Sequence, residues 1–199
     1  MSQIIGYLSK DTCYICVDSN IVFLDKSTTT GNKLFVGKGF LIATIGLSFG
    51  IDILEGLMEK SKILDINTFE DIEEYLMSLG DRQYINFINN FGDRLKEDLL
   101  RIYFIFSAKK VSGELGMGLL GAEGRENLRR VEIKNIITAP RRLGIEMAIA
   151  RLENVDKDSL INFFSESMKK VSMVDKNVSP PFRLGIIDAN GETHYKLLE

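Results

Sequence analysis

The sequence predicts an α+β fold, a four-layer αββα sandwich of two antiparallel sheets face to face with helices outside each. Three observations carry this. Hydrophobic periodicity switches from about 2 to about 3.6 residues and back along the chain. The resulting order is strands, helices, strands, two helices, two strands. Runs of strands alternating with runs of helices argue against a simple βαβ sheet.

Gln3 to Leu8 and Thr12 to Val17 are short apolar runs joined at Lys10-Asp11, which predicts a hairpin. Ile21 to Leu24 predicts a third strand, and Thr28 to Asn32 a turn or loop. Lys33 to Val36 and Phe40 to Ile45 predict two strands hinged at Gly37-Lys38-Gly39. Ile51, Leu54, Leu57 and Met58 then recur at helical spacing. So do Phe69, Ile72, Leu76 and Leu79, and next Tyr84, Phe87, Ile88, Phe91 and Leu95. Asn67 or Thr68 caps the second helix, and Gly80 ends it. Arg101 to Ala108 and Val131 to Ile137 return to strand. Pro140 opens a helix carrying Leu143, Met147 and Leu152, and another helix runs from about Asp156 to Asp175 before Pro180-Pro181. Phe182 to Ile187 and Thr193 to Leu198 form a last hairpin. No linker or repeat interrupts the 199 residues, so residues 1–199 are read as a single domain.

Composition narrows the function. The chain is 45% hydrophobic and 27% charged with 3 Pro, which places it among globular proteins and away from disorder. The net charge is -3. Its densest basic stretch (Arg129, Arg130, Lys134, Arg141 and Arg142) is interrupted by Glu132, which argues against nucleic-acid binding. Cys13 and Cys16 are the only cysteines. Three apart on a strand, they point to opposite faces and do not converge on one ion, so they read as buried thiols. With no disulfide framework, no secretory signal and no membrane span, the expected compartment is the cytoplasm. Gly116-Met117-Gly118-Leu119-Leu120-Gly121 matches G-x-G-x-x-G, but no sustained apolar helix follows, and Glu123 would oppose a pyrophosphate. A glycine-rich loop or hairpin is the better reading.

Four local segments carry a resemblance. They are Ser2-Gln3-Ile4-Ile5-Gly6 at the amino end, Val17-Asp18-Ser19, Gly31-Asn32-Lys33-Leu34-Phe35, and Ile42-Ala43-Thr44-Ile45-Gly46. In this order and spacing the chain resembles a proteasome β-type subunit, or the related bacterial two-component protease subunit, of the N-terminal-nucleophile (Ntn) hydrolase superfamily. The resemblance implies hydrolysis of peptide or amide bonds through an acyl-enzyme on Ser2 after removal of Met1. A free α-amine, with a reference pKa of about 8, then acts as the base. Lys33 would lower that pKa and stabilise developing negative charge, Asp18 would orient Lys33, and the Gly46 N–H would face the oxyanion. Met1 precedes a small residue, so its removal by an aminopeptidase is expected. The resemblance implies no cofactor and no metal. It implies a peptide or amide substrate and a homo-oligomer, with a ring and an activating ATPase as its expected forms and partner. The apolar face of Ile51 to Met58 is the expected interface.

The chain departs from the family's pattern further on. Ile137-Thr138-Ala139-Pro140 stands where a Gly-Ser-Gly segment holds the terminal amine, and Thr138 is the nearest replacement. Asp175 and Ser179 stand for a late Asp and Ser at a spacing one residue longer. Ser27 to Thr30 lacks the usual residues before the lysine. Two alternatives therefore stay open: a catalytically inactive structural or interaction subunit, and a non-peptidase amidase on the same fold.

Overall fold

The computed structural model describes residues 2–22, 27–96, 99–152 and 156–198. The amino end is a strand meander: β1 (Ile4–Leu8), β2 (Thr12–Val17), β3 (Asn20–Val22), β4 (Thr28–Thr30), β5 (Leu34–Gly37) and β6 (Phe40–Gly46). Two helices follow, α1 (Phe49–Leu64) and α2 (Phe69–Phe91). Then come β7 (Arg101–Lys109), β8 (Leu115–Glu123), β9 (Arg129–Glu132) and β10 (Ile136–Ala139). The chain closes with α3 (Leu143–Ile149), α4 (Lys157–Val174), β11 (Phe182–Asp188) and β12 (Thr193–Leu198).

The strands make one five-stranded sheet in the order β10-β1-β2-β11-β12, a second in the order β5-β6-β7-β8-β9, and a two-stranded sheet, β3-β4. Every pairing between these strands is antiparallel. The expected sandwich of two sheets is thus corrected to a mixed α+β fold of three antiparallel sheets and four α-helices among the described residues. The third sheet arises where a polar run reads as loop. Thr28–Thr30, all exposed, pairs with Asn20–Val22 and spends its backbone groups there. Phe23 and Leu24, expected in the third strand, lie outside the described residues.

Alternation along β1 and β2 sorts side chains between two cores. Ile5 and Cys16 join Phe164 and Met168 of α4, whereas Ile4, Cys13, Ile15 and Val17 join Leu41, Ala43, Ile105 and Met117 of the other large sheet. A third core packs Ile53, Leu54 and Leu57 of α1 and Ile72, Leu76 and Tyr84 of α2 on Ile42, Phe104 and Phe106. The apolar face expected as an interface is therefore internal.

Three local expectations change. Helix α2 runs through Gly80 without a break. That glycine is buried, and a Cβ there would lie 3.3 Å from Leu128 and 3.4 Å from Phe104. Thr68 is its N-cap, accepting from the Asp71 amide at 3.2 Å. The segment read as one strand from Val131 to Ile137 is divided between β9 and β10, which lie in different sheets. The G-x-G-x-x-G run is not a loop but lies in the second arm of the β7–β8 hairpin, in the middle of β8. A Cβ on Gly118 would sit 2.6 Å from the Phe106 ring, so close packing explains the glycine.

Candidate functional site

Three strand ends converge beside the start of β1. Ser2 and Gln3 lead into β1, Asp18 follows β2, and Lys33 precedes β5. The β1–β2 register, Ile4 opposite Val17, sets Gln3 beside Asp18. The Gln3 amide donates to Asp18 Oδ1 at 2.8 Å, and the Asn20 amide donates to Asp18 Oδ2 at 2.9 Å. Lys33 Nζ donates to the same Oδ2 at 2.9 Å, to Ser2 Oγ at 2.6 Å and to the Asn20 carbonyl. An ammonium has three donors, and these three acceptors use them all.

The pair is deeply placed: Asp18 is 0% and Lys33 4% exposed, while Ser2 is half-buried. Burial pushes Lys33 below its ordinary value, with the Asp18 carboxylate opposing. Burial likewise pushes Asp18 up, against the Lys33 charge and the hydrogen bonds from Lys33, Gln3 and Asn20. Satisfied hydrogen bonds on both partners are what make two charges tolerable there.

Gly46 ends β6 with φ +101, and a Cβ there would lie 2.1 Å from the Arg101 carbonyl oxygen, so glycine is required. Among the described residues it is not a hydrogen-bond partner of the Ser2, Asp18 and Lys33 side chains. Thr138 does not approach this group by hydrogen bonding. Its hydroxyl donates to Glu146 Oε1 at 2.7 Å and accepts from the Arg142 amide at 2.6 Å. Asp175 caps α4 and meets Arg142 Nη2 at 3.4 Å. Met1 lies outside the described residues.

Sequence reasoning missed Gln3, Asn20 and Arg142. Gln3 is fully buried, and its side-chain amide donates to the Ile4 carbonyl at 2.9 Å and the Pro140 carbonyl at 3.1 Å, while its Oε1 accepts from Arg142 Nε at 3.1 Å. A polar residue at a position alternating with Ile5 was the available signal. A groove of about 540 Å³ between α3 and α4 is lined by Arg142, Leu143, Phe163, Lys170 and Val174, but not by Ser2, Asp18 or Lys33. Among the described residues no cluster of His, Cys, Asp or Glu is arranged to hold a metal, and no helix is long and apolar enough to cross a membrane. Cys13 and Cys16 are free, buried and in different cores.

No protein-family model matches the sequence, and no curated protein matches it. Solved structures do resemble the fold. Anbu (ancestral beta-subunit) from Yersinia bercovieri aligns with a TM-score of 0.67 at 15% identity, covering 100% of this chain and 86% of that one. The Anbu (Gly-1) mutant from Hyphomicrobium sp. strain MC1 aligns at 0.69 and 12% identity, covering 100% and 88%. Anbu from the same strain aligns at 0.66 and 11%, covering 99% and 87%. The resemblance to a proteasome β-type subunit is corrected accordingly: the similar structures are those of Anbu, a distinct proteasome-like family. At these identities the likeness establishes a shared fold, and the chain is similar in fold to Anbu along its whole length.

Proposed function

We propose that the protein hydrolyses peptide or amide bonds through an acyl-enzyme on Ser2, once Met1 is removed. The observation that carries this reading is the 2.6 Å contact from Lys33 Nζ to Ser2 Oγ, with Lys33 anchored by Asp18. A buried ammonium aimed at a hydroxyl oxygen stabilises the alkoxide that forms as the proton leaves. With all three Lys33 donors engaged, that proton goes to the freed α-amine of Ser2. Ser2 Oγ then bonds to the substrate carbonyl carbon, and the carbonyl oxygen takes the negative charge facing the Gly46 N–H. Collapse expels the amine, which takes the proton from the α-amine, and water releases the acyl group by the reverse steps. The neighbours in fold include a protein named as an ancestral beta-subunit, which supports a homo-oligomer as the working form.

A second reading, an inactive structural or interaction subunit, draws on Thr138. Its hydroxyl is committed to Glu146 and Arg142 and does not hold the amine. The N-terminal sequence of protein from its native host separates the two. A chain starting at Ser2 that a peptide β-lactone acylates, with loss of labelling in Ser2→Ala, supports hydrolysis. Retention of Met1 in all of the native protein contradicts it.

A further inference from the structure

We infer that Arg142 is a positioning residue that sets the Ser2 hydroxyl through the side chain of Gln3, a role that rests on the reading of Ser2 as nucleophile. Gln3 immediately follows Ser2, and it is held at both ends. Its backbone amide is tied to Asp18, and both protons of its side-chain amide are tied to the Ile4 and Pro140 carbonyls. The remaining group, Oε1, is satisfied by Arg142 Nε at 3.1 Å.

Arg142 is itself aimed from two sides. Its amide donates to Thr138 Oγ1 at 2.6 Å, which fixes its backbone at the start of α3, just beyond β10. Its Nη2 meets Asp175 at 3.4 Å, which fixes the guanidinium plane. The planar fork thus ties the Gln3 side chain to the carboxylate after α4, a geometry a lysine reproduces only in part. Removing Arg142 leaves a buried amide oxygen without its partner, and a buried acceptor that has lost its donor drives rearrangement. Because Gln3 is 0% exposed and tied to Asp18, that rearrangement reaches the backbone that carries Ser2.

The test uses the full chain beginning at Ser2 and the time course of acylation by a peptide β-lactone. A 1 Å displacement at a reacting group costs up to about 100-fold, so Arg142→Ala is expected to lower the acylation rate constant by about that order with the probe's binding constant unchanged. Arg142→Lys is expected to recover part of the rate. Gln3→Ala combined with Arg142→Ala is expected to be no slower than the slower single variant, since both break one link. An unchanged rate in Arg142→Ala, or single effects that multiply, overturns the inference. Amide hydrogen exchange gives a second readout that does not need the probe. The Gln3 amide is expected to exchange faster in Arg142→Ala while Ile105, in the middle of β7, does not; unchanged Gln3 exchange overturns the inference. If Arg142→Ala exposes Ile105 as well, Arg142→Met, which keeps the apolar stem, decides by the same criterion. An unlabelled wild-type chain would remove the nucleophile reading alone, because the exchange of Gln3 still answers for Arg142.

Discussion

Two ion pairs flank the first residues of β1, and they differ in every physical respect. Asp18–Lys33 is a 2.9 Å pair with side chains 0% and 5% exposed, and it points at Ser2 Oγ. Arg142–Asp175 is a 3.4 Å pair with side chains 33% and 19% exposed, and it points at Gln3. The buried pair is expensive to break, because either partner alone is an uncompensated charge. The partly exposed pair is screened by water more than the buried one and contributes less to folding. Stability and positioning thus need not come from the same charges. One pair is built into the interior, and the other acts as an adjustable strut on the same segment.

The largest expected effect is on the buried pair. Lys33→Met leaves the Asp18 carboxylate buried alone and is expected to destabilise the fold by about 3–5 kcal/mol in urea unfolding, along with loss of Ser2 acylation. Adding Asp18→Asn should return part of that stability, without the acylation, since it removes the buried charge but leaves one carbonyl oxygen for the two amides, Gln3 and Asn20, that now donate to separate oxygens. If the double variant is as unstable as the single one, the pair is not what sets the cost.

Gly46→Ala comes next. A left-handed φ and a Cβ 2.1 Å from the Arg101 carbonyl predict a loss of about 2 kcal/mol or more. A wild-type urea midpoint would show that β6 can end another way.

The thiols offer a pH-dependent readout separate from acylation, with Cys16 raised by burial and also by the nearby Asp18 charge. Burial pushes Cys13 from its ordinary 9.0 up to about 12, and raises Cys16 as well. Between 9.0 and about 12 the native state holds a proton on Cys13 that the unfolded chain has lost. Stability from this group is therefore complete below pH 9.0 and falls as pH rises towards 12. Iodoacetamide at pH 8 should modify neither cysteine in the folded protein and both in urea. Arg142→Ala is expected to cost about 1 kcal/mol by urea unfolding, the low end for a buried acceptor that loses its donor, which contrasts with its larger expected effect on acylation rate.

Much of the fold was legible because its signals are local. The helical repeats of α1 and α4, the Thr68 cap and the β11–β12 hairpin follow from periodicity and capping chemistry. What was not legible depends on distant partners. Gly80 reads as a helix end until Phe104 and Leu128 are seen to pack against it. Gly116 and Gly118 read as loop until the Phe69 and Phe106 rings fill the space a side chain would need. Thr28–Thr30 reads as loop because its strand is exposed and has no apolar face. Ser2, Asp18 and Lys33 were named by resemblance, and their side chains share a hydrogen-bonded group. Gln3 and Arg142 lie 139 positions apart, and no local pattern pairs them.

Ser2 acts, on the proposed function, as a nucleophile primed by the buried pair. The most direct measurement is the intact mass and peptide map of a chain beginning at Ser2 after exposure to a peptide β-lactone. One adduct is expected, on the N-terminal peptide at Ser2, absent from Ser2→Ala and from Lys33→Met. A chain with a free Ser2 amine that stays unmodified, or is acylated elsewhere, would contradict it.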